Sequence, residues 1–362
     1  MIRVLHVLSA LHRHGTETFV MNLFREIDRE EIMFDFLVFN SNTDGYYDEI
    51  ISMGSKIFQL PPRRAGLKDY EESLDKFFKE NAGNYDAVHF HAMSLTTLSP
   101  LKYAKKYGIK KRLMHMHGMS CQGFHNKVLH FINKSRISGL ATDFLGCSSK
   151  AVEWGYGGTK AMKSSKVVFN GIDIDKFRFK SEVRKKIRKE LGIDDKFVCI
   201  HIGTFNEIKN HRFLLDVFKE LNLKHSQSIL ICIGNGSLFN QSKGYALELG
   251  IAEKVLFLGE RANVCDYLQA SDAMIFPSLH EGLGIALIEA QIAGLPVVAS
   301  TGVPKEANVT GNFNRLSLNE STCHWVDKIL EIKNNVTRDL NLDVDKFSSR
   351  HTLHIISGLY KG

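Results

Sequence analysis

Glu281 and Glu289 bracket a glycine turn in the stretch Pro277-Ser-Leu-His-Glu281-Gly-Leu-Gly-Ile285-Ala-Leu-Ile-Glu289. The apolar run before it, Ala273-Met-Ile-Phe276, has strand character and stops at Pro277, which cannot donate to a sheet ladder. Gly282 and Gly284 allow a tight turn and close approach of the backbone. From Leu283 the apolar spacing becomes helical (Leu283, Leu287, Ile288, Ile292). A strand, a glycine turn and a helix start leave free N–H groups and a positive dipole end, which favour a phosphate. The two carboxylates suit hydroxyls on either side of that phosphate, a sugar at Glu281 and a ribose at Glu289. This describes a sugar nucleotide. An ordinary strand-to-helix turn carrying two surface glutamates fits the spacing equally well.

Further loops carry similar residues. Leu11-His-Arg-His-Gly15-Thr-Glu-Thr18 opens a helix after the first strand, and Gly15 could approach a phosphate there. Gly203-Thr204 leads to Lys209-Asn-His211, where Lys209 could neutralise a diphosphate. Gly234-Asn235-Gly-Ser237 and Gly259-Glu-Arg261 are further turns that follow strands. His115 and His117, two apart on a strand, face one side. Taken singly, each reads as a core histidine, a surface lysine or a glycine cap. Together they fall at the carboxyl ends of strands, where doubly wound sheets bind ligands.

A different chemistry is open to His89-x-His91 and His115-x-His117, since neutral imidazoles on one strand face ligate zinc. The pairs fall on separate strands and no Asp-bearing third cluster accompanies them. A metal-dependent hydrolase is therefore the competing reading of another class. A sugar-nucleotide-binding protein without turnover, or an epimerase, would use the same loops.

The elements that position these residues alternate. Strands are expected near 2–9, 33–39, 55–60, 86–91, 111–116, 142–147 and 166–169, with helices near 16–28, 67–80, 94–107 and 124–138. Asn170-Gly171-Ile-Asp173 and the charged stretch 180–196 read as a junction. Strands follow near 196–202, 228–233, 254–258, 272–276 and 296–299, then helices over 322–334 and 346–361. Such alternation predicts an α/β protein of two Rossmann-like, doubly wound domains facing across a cleft. Residues 1–169 form the first, 170–345 the second, and 346–362 a terminal helix that could return to the first.

With 362 residues, 44% hydrophobic and 24% charged, the chain has the composition of a globular protein, and no apolar run reaches membrane-span length. Six cysteines without a CxxC pair point to a reduced, cytoplasmic protein. The net charge of +7 is concentrated, since residues 102–166 hold thirteen Lys/Arg against two acids. An anionic membrane surface, an anionic acceptor and a plain solvated helix face all fit that charge. No helix-turn-helix, RRM or zinc-finger pattern accompanies it, which argues against nucleic acid. On a helix over 124–136, Phe124, Val128, Phe131 and Ile132 share one side, flanked by Lys127 and Lys134.

The set Gly203…Lys209-Asn210, Gly234-Asn235-Gly236, Gly259-Glu-Arg261 and Glu281-x7-Glu289 resembles the second half of the family 4 glycosyltransferases. The resemblance extends to residues 14–17, His115-x-His117, Cys147-Ser-Ser-Lys-Ala and Asn170-Gly171-Ile-Asp173, and covers nearly the whole chain. It is closest to the branch that builds capsular, exopolysaccharide or O-antigen repeats. The resemblance implies the GT-B fold and transfer of a hexose or N-acetylhexosamine with retention of configuration, without cofactor or metal. The donor would be a nucleotide diphosphate sugar, UDP favoured over GDP. The acceptor would be a saccharide, lipid-diphosphate-linked, which places the enzyme in the cytoplasm or at the inner face of the cytoplasmic membrane.

Residue by residue, it implies that Glu289 binds the ribose and Glu281 the sugar hydroxyls. Gly282, Leu283, Gly284 and Ile285 would offer backbone contacts to sugar and phosphate, and Lys209 would stabilise the leaving diphosphate. Gly203, Thr204, Gly234, Asn235, Arg261 and, from the first domain, Gly15 complete the donor set. His117 would stand near the anomeric carbon, making Glu281, His117 and Lys209 the catalytic group. Two positions depart from the pattern. Thr204 stands where the family has an arginine, and His14-Gly15 replaces a Gly-Gly turn.

Overall fold

The structure, a computed structural model, describes residues 1–40, 45–119, 121, 123–333, 338 and 344–362. The chain divides into two compact units, Met1–Ile172 with Asp345–Gly362, and Asp173–Val344.

The first unit is built on seven parallel strands: β1 (Ile2–Leu8), β2 (Ile32–Val38), β3 (Ile57–Gln59), β4 (Ala87–Ala92), β5 (Lys111–Met116), β6 (Asp143–Gly146) and β7 (Lys166–Val167). Their order is β3-β2-β1-β4-β5-β6-β7, so the sheet reverses direction of growth between β1 and β4. Runs such as Val4, Leu5, Val7 and Leu8 are buried throughout, as expected of strands covered on both faces. Helices Gly15–Glu26 and Ser349–Lys361 share the core around Phe19, Phe24, Phe34, Ile356 and Tyr360. The last helix thus belongs to the first unit. Ile172 bridges Ser348, and Thr352 Oγ1 donates to Phe169 O at 3.1 Å.

The second unit holds β8 (Phe197–Ile202), β9 (Ser228–Ile233), β10 (Val255–Gly259), β11 (Ala273–Phe276), β12 (Val297–Ser300) and β13 (Phe313–Leu316), ordered β10-β9-β8-β11-β12-β13. All are parallel, and the reversal falls between β8 and β11. β13 lies beyond the last strand expected from sequence. Its residues Phe-Asn-Arg-Leu are half polar, because an edge strand is covered on one side only.

The stretch 180–196, read as a junction, instead forms the helix Ser181–Leu191. Arg184 and Arg188 of that helix bind Asp272 at 2.6 and 3.2 Å. The second Asp272 oxygen accepts Val198 N at 2.8 Å, which fixes the entry of β11 beside β8. The helix expected over 322–334 spans Thr322–Lys333, and position 334 lies outside the described residues.

Candidate functional site

In the second unit the reversal between β8 and β11 sets two loops side by side. The loop after β8 carries Gly203, Thr204 and Lys209, and that after β11 carries Glu281. Leu279 N donates to Ile208 O at 2.7 Å and ties the loops together. Lys209 is held at the end of a short turn capped by Asn206, whose Oδ1 accepts Lys209 N at 3.1 Å. Asn210 follows in the left-handed region, φ 54°, and starts the helix His211–Lys224.

These constraints bring Lys209 Nζ to 2.6 Å from Glu281 Oε1, with the side chains 18% and 12% exposed. The ammonium also lies 4.8 Å from the Phe276 ring centroid. The cation and carboxylate that the sequence reading assigned to different parts of a donor are therefore paired with each other. A ligand with an anionic group and hydroxyls can exchange with both partners, since a charged donor and a charged acceptor form the stronger class of hydrogen bond.

Gly284, φ 82°, caps the helix Ile285–Ile292 in the left-handed conformation, so the turn after Glu281 needs glycine there. Gly282 and Ile285 are partly buried, and Leu283 is a core residue whose contribution to a ligand is limited to its backbone. Glu289 lies on that helix, partly buried, and burial lifts its carboxyl to about 7 against a weaker downward pull from Lys176. Gly234, φ 136°, follows β9 against the backbone of Gly203, where a Cβ would collide with Gly203 O. Thr204, Asn235 and Arg261 are exposed, and Arg261 Nη1 donates to Glu260 O at 3.1 Å. Gly203, Thr204, Lys209, Gly234, Asn235, Arg261, Glu281 and Glu289 thus all belong to the second unit, on or just past the carboxyl ends of β8, β9, β10 and β11.

Two histidines beneath this site were not singled out by sequence. His201, inside β8, bonds Ile275 O through Nδ1 at 2.9 Å, and burial lowers it to about 4. His211 stacks on Phe205 with ring centroids 3.8 Å apart and is lowered by burial to about 2. Both are neutral, so neither adds a positive charge beside Lys209. For His201 the signal was a histidine on the buried alternation of a strand, which is weak by itself, and His211 opens a helix where no such alternation exists.

Gly15 and His117 belong to the first unit. Gly15 is exposed at the start of its helix, and the adjacent Arg13 lies over the Tyr46 ring at 5.1 Å. His117 follows β5 and continues its ladder, its N–H donating to Ala92 O at 2.9 Å. It is buried and lowered to about 3. The two histidine pairs lie on separate strands, as expected, but these are neighbours in the sheet, with His91 opposite His115. With His6, opposite His89 on β1, they make two trios, His6/His89/His91 and His91/His115/His117, with ligand atoms within 4.8 Å of one another.

Helix Phe124–Arg136 docks with its polar residues inward. His130 stacks on Trp154 with centroids 4.0 Å apart, and its Nδ1 accepts Leu95 N at 3.0 Å. Asn133 Nδ2 donates to Leu95 O at 2.7 Å. The apolar side faces outward instead, with Phe124 84% and Phe131 59% exposed beside Val128 and Ile132. No helix among the described residues is long and apolar enough to cross a membrane.

Two parallel, doubly wound α/β units make up the GT-B type of fold. The profile of "Glycosyl transferases group 1" matches residues 183–342. EpsF of Bacillus subtilis (strain 168), named as a glycosyltransferase, is 31% identical over 90% of this chain and 86% of its own length. The capsular polysaccharide biosynthesis glycosyltransferase CapH of Staphylococcus aureus is 28% identical over 86% and 85%. This chain belongs to the group 1 glycosyltransferases. An Escherichia coli relative, UDP-Gal:alpha-D-GlcNAc-diphosphoundecaprenol alpha-1,3-galactosyltransferase, is 29% identical over 70% of this chain and 65% of its own. Among solved structures, Anabaena HepE in complex with UDP and glucose superposes over 100% of both chains with a TM-score of 0.80 at 17% identity.

Proposed function

We propose that this protein transfers a hexosyl or N-acetylhexosaminyl group, with retention, from a UDP-sugar to a lipid-diphosphate-linked saccharide during assembly of a bacterial surface polysaccharide. The observation that carries this reading is the Lys209–Glu281 pair beside the Gly284 turn. Lys209 stabilises the departing diphosphate, charge stabilisation of the kind that dominates transfer catalysis. Glu281 holds sugar hydroxyls and Glu289 the ribose. Gly203, Gly234 and the amides from Gly282 to Ile285 admit the phosphates. His117 and Gly15 take part in the reaction as well. The leaving phosphate takes the acceptor's proton, so no enzyme nucleophile is required.

The relatives support this choice of donor and acceptor. HepE is described with UDP and with UDP-glucose. The Escherichia coli galactosyltransferase is named for UDP-Gal and a diphosphoundecaprenol-linked acceptor. The outward Phe124, Val128, Phe131 and Ile132, with Lys127 and Arg136 exposed among them, suit an anionic lipid interface where such an acceptor resides. The enzyme accordingly works at the inner face of the cytoplasmic membrane.

The test is transfer from UDP-glucose, UDP-galactose, UDP-GlcNAc, UDP-GalNAc and GDP-mannose to a polyprenyl-diphosphate sugar, with the product's anomeric configuration read by NMR. A retained linkage from one UDP donor is expected. An inverted product, exclusive use of GDP-mannose, or epimerised donor without acceptor would each displace this reading.

A further inference from the structure

Five histidines and one tyrosine form a continuous chain inside the first unit. His117 Nε2 lies 2.9 Å from His91 Nδ1, and His91 Nε2 lies 2.9 Å from His6 Nδ1. His6 Nε2 meets the Tyr360 hydroxyl at 3.4 Å, and that hydroxyl meets His89 Nδ1 at 2.6 Å. His89 Nε2 then lies 3.2 Å from His115 Nδ1. The two end nitrogens, His117 Nδ1 and His115 Nε2, are buried and have no partner among the described residues. The strand register explains the alignment. His6 stands opposite His89 and His91 opposite His115, all on one face of β1, β4 and β5.

Burial holds all five imidazoles neutral, His6 and His117 at about 3 and the others well below the usual histidine range. A neutral imidazole carries one N–H and one lone pair. Every interior ring here uses both nitrogens, so each must accept from one neighbour and donate to the next. With the Tyr360 hydrogen kept within the chain, only two arrangements satisfy all five links. In one, every histidine carries Nε2–H, His115 Nε2–H is the free donor and His117 Nδ1 is a bare lone pair. In the other, every histidine carries Nδ1–H and His117 Nδ1 becomes the donor. Any mixture places two N–H groups or two lone pairs against each other in the core, which is costly for buried polar groups.

We propose that His117, His91, His6, Tyr360, His89 and His115 form one relay whose shared tautomer decides whether His117 Nδ1 donates or accepts. Tyr360, on the last helix, and the other four histidines are positioning residues for His117. That the relay serves sugar transfer rests on the role proposed above for His117, but the relay itself does not. A divalent ion on either trio is the competing occupant. Since both nitrogens of His6, His89 and His91 are already linked, an ion on either trio must break at least one link.

The test is long-range 1H–15N NMR of the deuterated, 15N-labelled full chain without ligand, with its histidine rings assigned. Protonated and bare ring nitrogens resonate far apart, so each tautomer reads directly. The relay requires all five rings to be neutral and to share one tautomer. A mixed set, an imidazolium among the five, or one equivalent of zinc that disappears in His91→Gln would overturn it. Tyr360→Phe supplies the second measurement. Phenylalanine offers the same C–H edge to His6 Nε2 and His89 Nδ1, so both ends turn lone pairs toward it. His6, His91 and His117 then carry Nδ1–H while His89 and His115 carry Nε2–H. Five rings that still agree in Tyr360→Phe would overturn the coupling through Tyr360. Because neither measurement uses donor or acceptor, a failed transfer assay and a failed relay are distinguishable.

Discussion

At the scale of single residues, Lys209 and Glu281 each neutralise the other at 2.6 Å in a largely buried position. Removing one leaves the other uncompensated, which costs about 3–5 kcal/mol for a fully buried pair and less here, where both side chains keep some exposure. Lys209→Ala and Glu281→Ala are therefore expected to lower thermal stability as well as to reduce transfer by orders of magnitude. The double variant Lys209→Met with Glu281→Gln separates the effects. It should recover most of the stability in a melting experiment and none of the transfer. Glu289 behaves differently, because burial raises its carboxyl to about 7. The unfolded chain ionises this group near the ordinary value of about 4.5, ahead of the folded protein. The folded state thus gains from protonation at low pH and loses that advantage as pH climbs from 4.5 through 7. Glu289→Gln should match wild type near pH 4.5 and exceed it at pH 8 by about 1–2 kcal/mol, the charge being partly solvated. UDP binding carries the opposite trend. A carboxylate accepts ribose hydroxyls and a carboxylic acid does so poorly, so wild-type affinity should rise roughly tenfold from pH 6 to 8. Calorimetric titration of Glu289→Gln with UDP should show no such rise.

At the scale of elements, helix Phe124–Arg136 inverts the usual arrangement, with His130 and Asn133 inward and Phe124 and Phe131 outward. Basic residues near an anionic surface are worth roughly 1 kcal/mol each. Changing Lys127, Lys134 and Arg136 to Gln should weaken sedimentation with anionic vesicles about a hundredfold at low salt, on that same scale. Equal binding of the variant would remove this helix from the membrane account. The sequence showed the stripe itself but left its direction open, because periodicity defines a face and not what covers it. Strands with dense apolar runs, such as β9 and β11, were legible for the same reason that they are buried. The edge strand β13 and helix Ser181–Leu191 were not, since one is half polar and the other is charged on most of its surface. The Glu281 turn could be read from glycine and proline chemistry, whereas the relay depends on register between β1, β4 and β5, which no local pattern encodes.

At the scale of the whole molecule, each unit has its own core, and the first is completed only by the helix Ser349–Lys361. Ile356 and Tyr360 of that helix are buried, and Lys361 pairs with Glu31 at 2.7 Å. Truncation before Ser349 should therefore uncover the core around Phe24 and Phe34 and lower the melting temperature of the first unit alone. The second unit's transition, followed by a probe such as the buried Trp325, should stay in place. A single shifted transition for both units would contradict this division.

That the chain leaves the first unit at Ile172 and re-enters it at Asp345 also fixes an order of events on the ribosome. The second unit has all of its residues available while the first still lacks a helix. Until Tyr360 emerges, His6 and His89 face an unfilled gap, and the strands that carry them lack one flank of their packing. Translation of everything between is the interval in which this half of the molecule is most exposed to proteases and chaperones. Nascent-chain proteolysis should find Asp173–Val344 protected first, and Met1–Ile172 protected only after the last helix has cleared the exit tunnel.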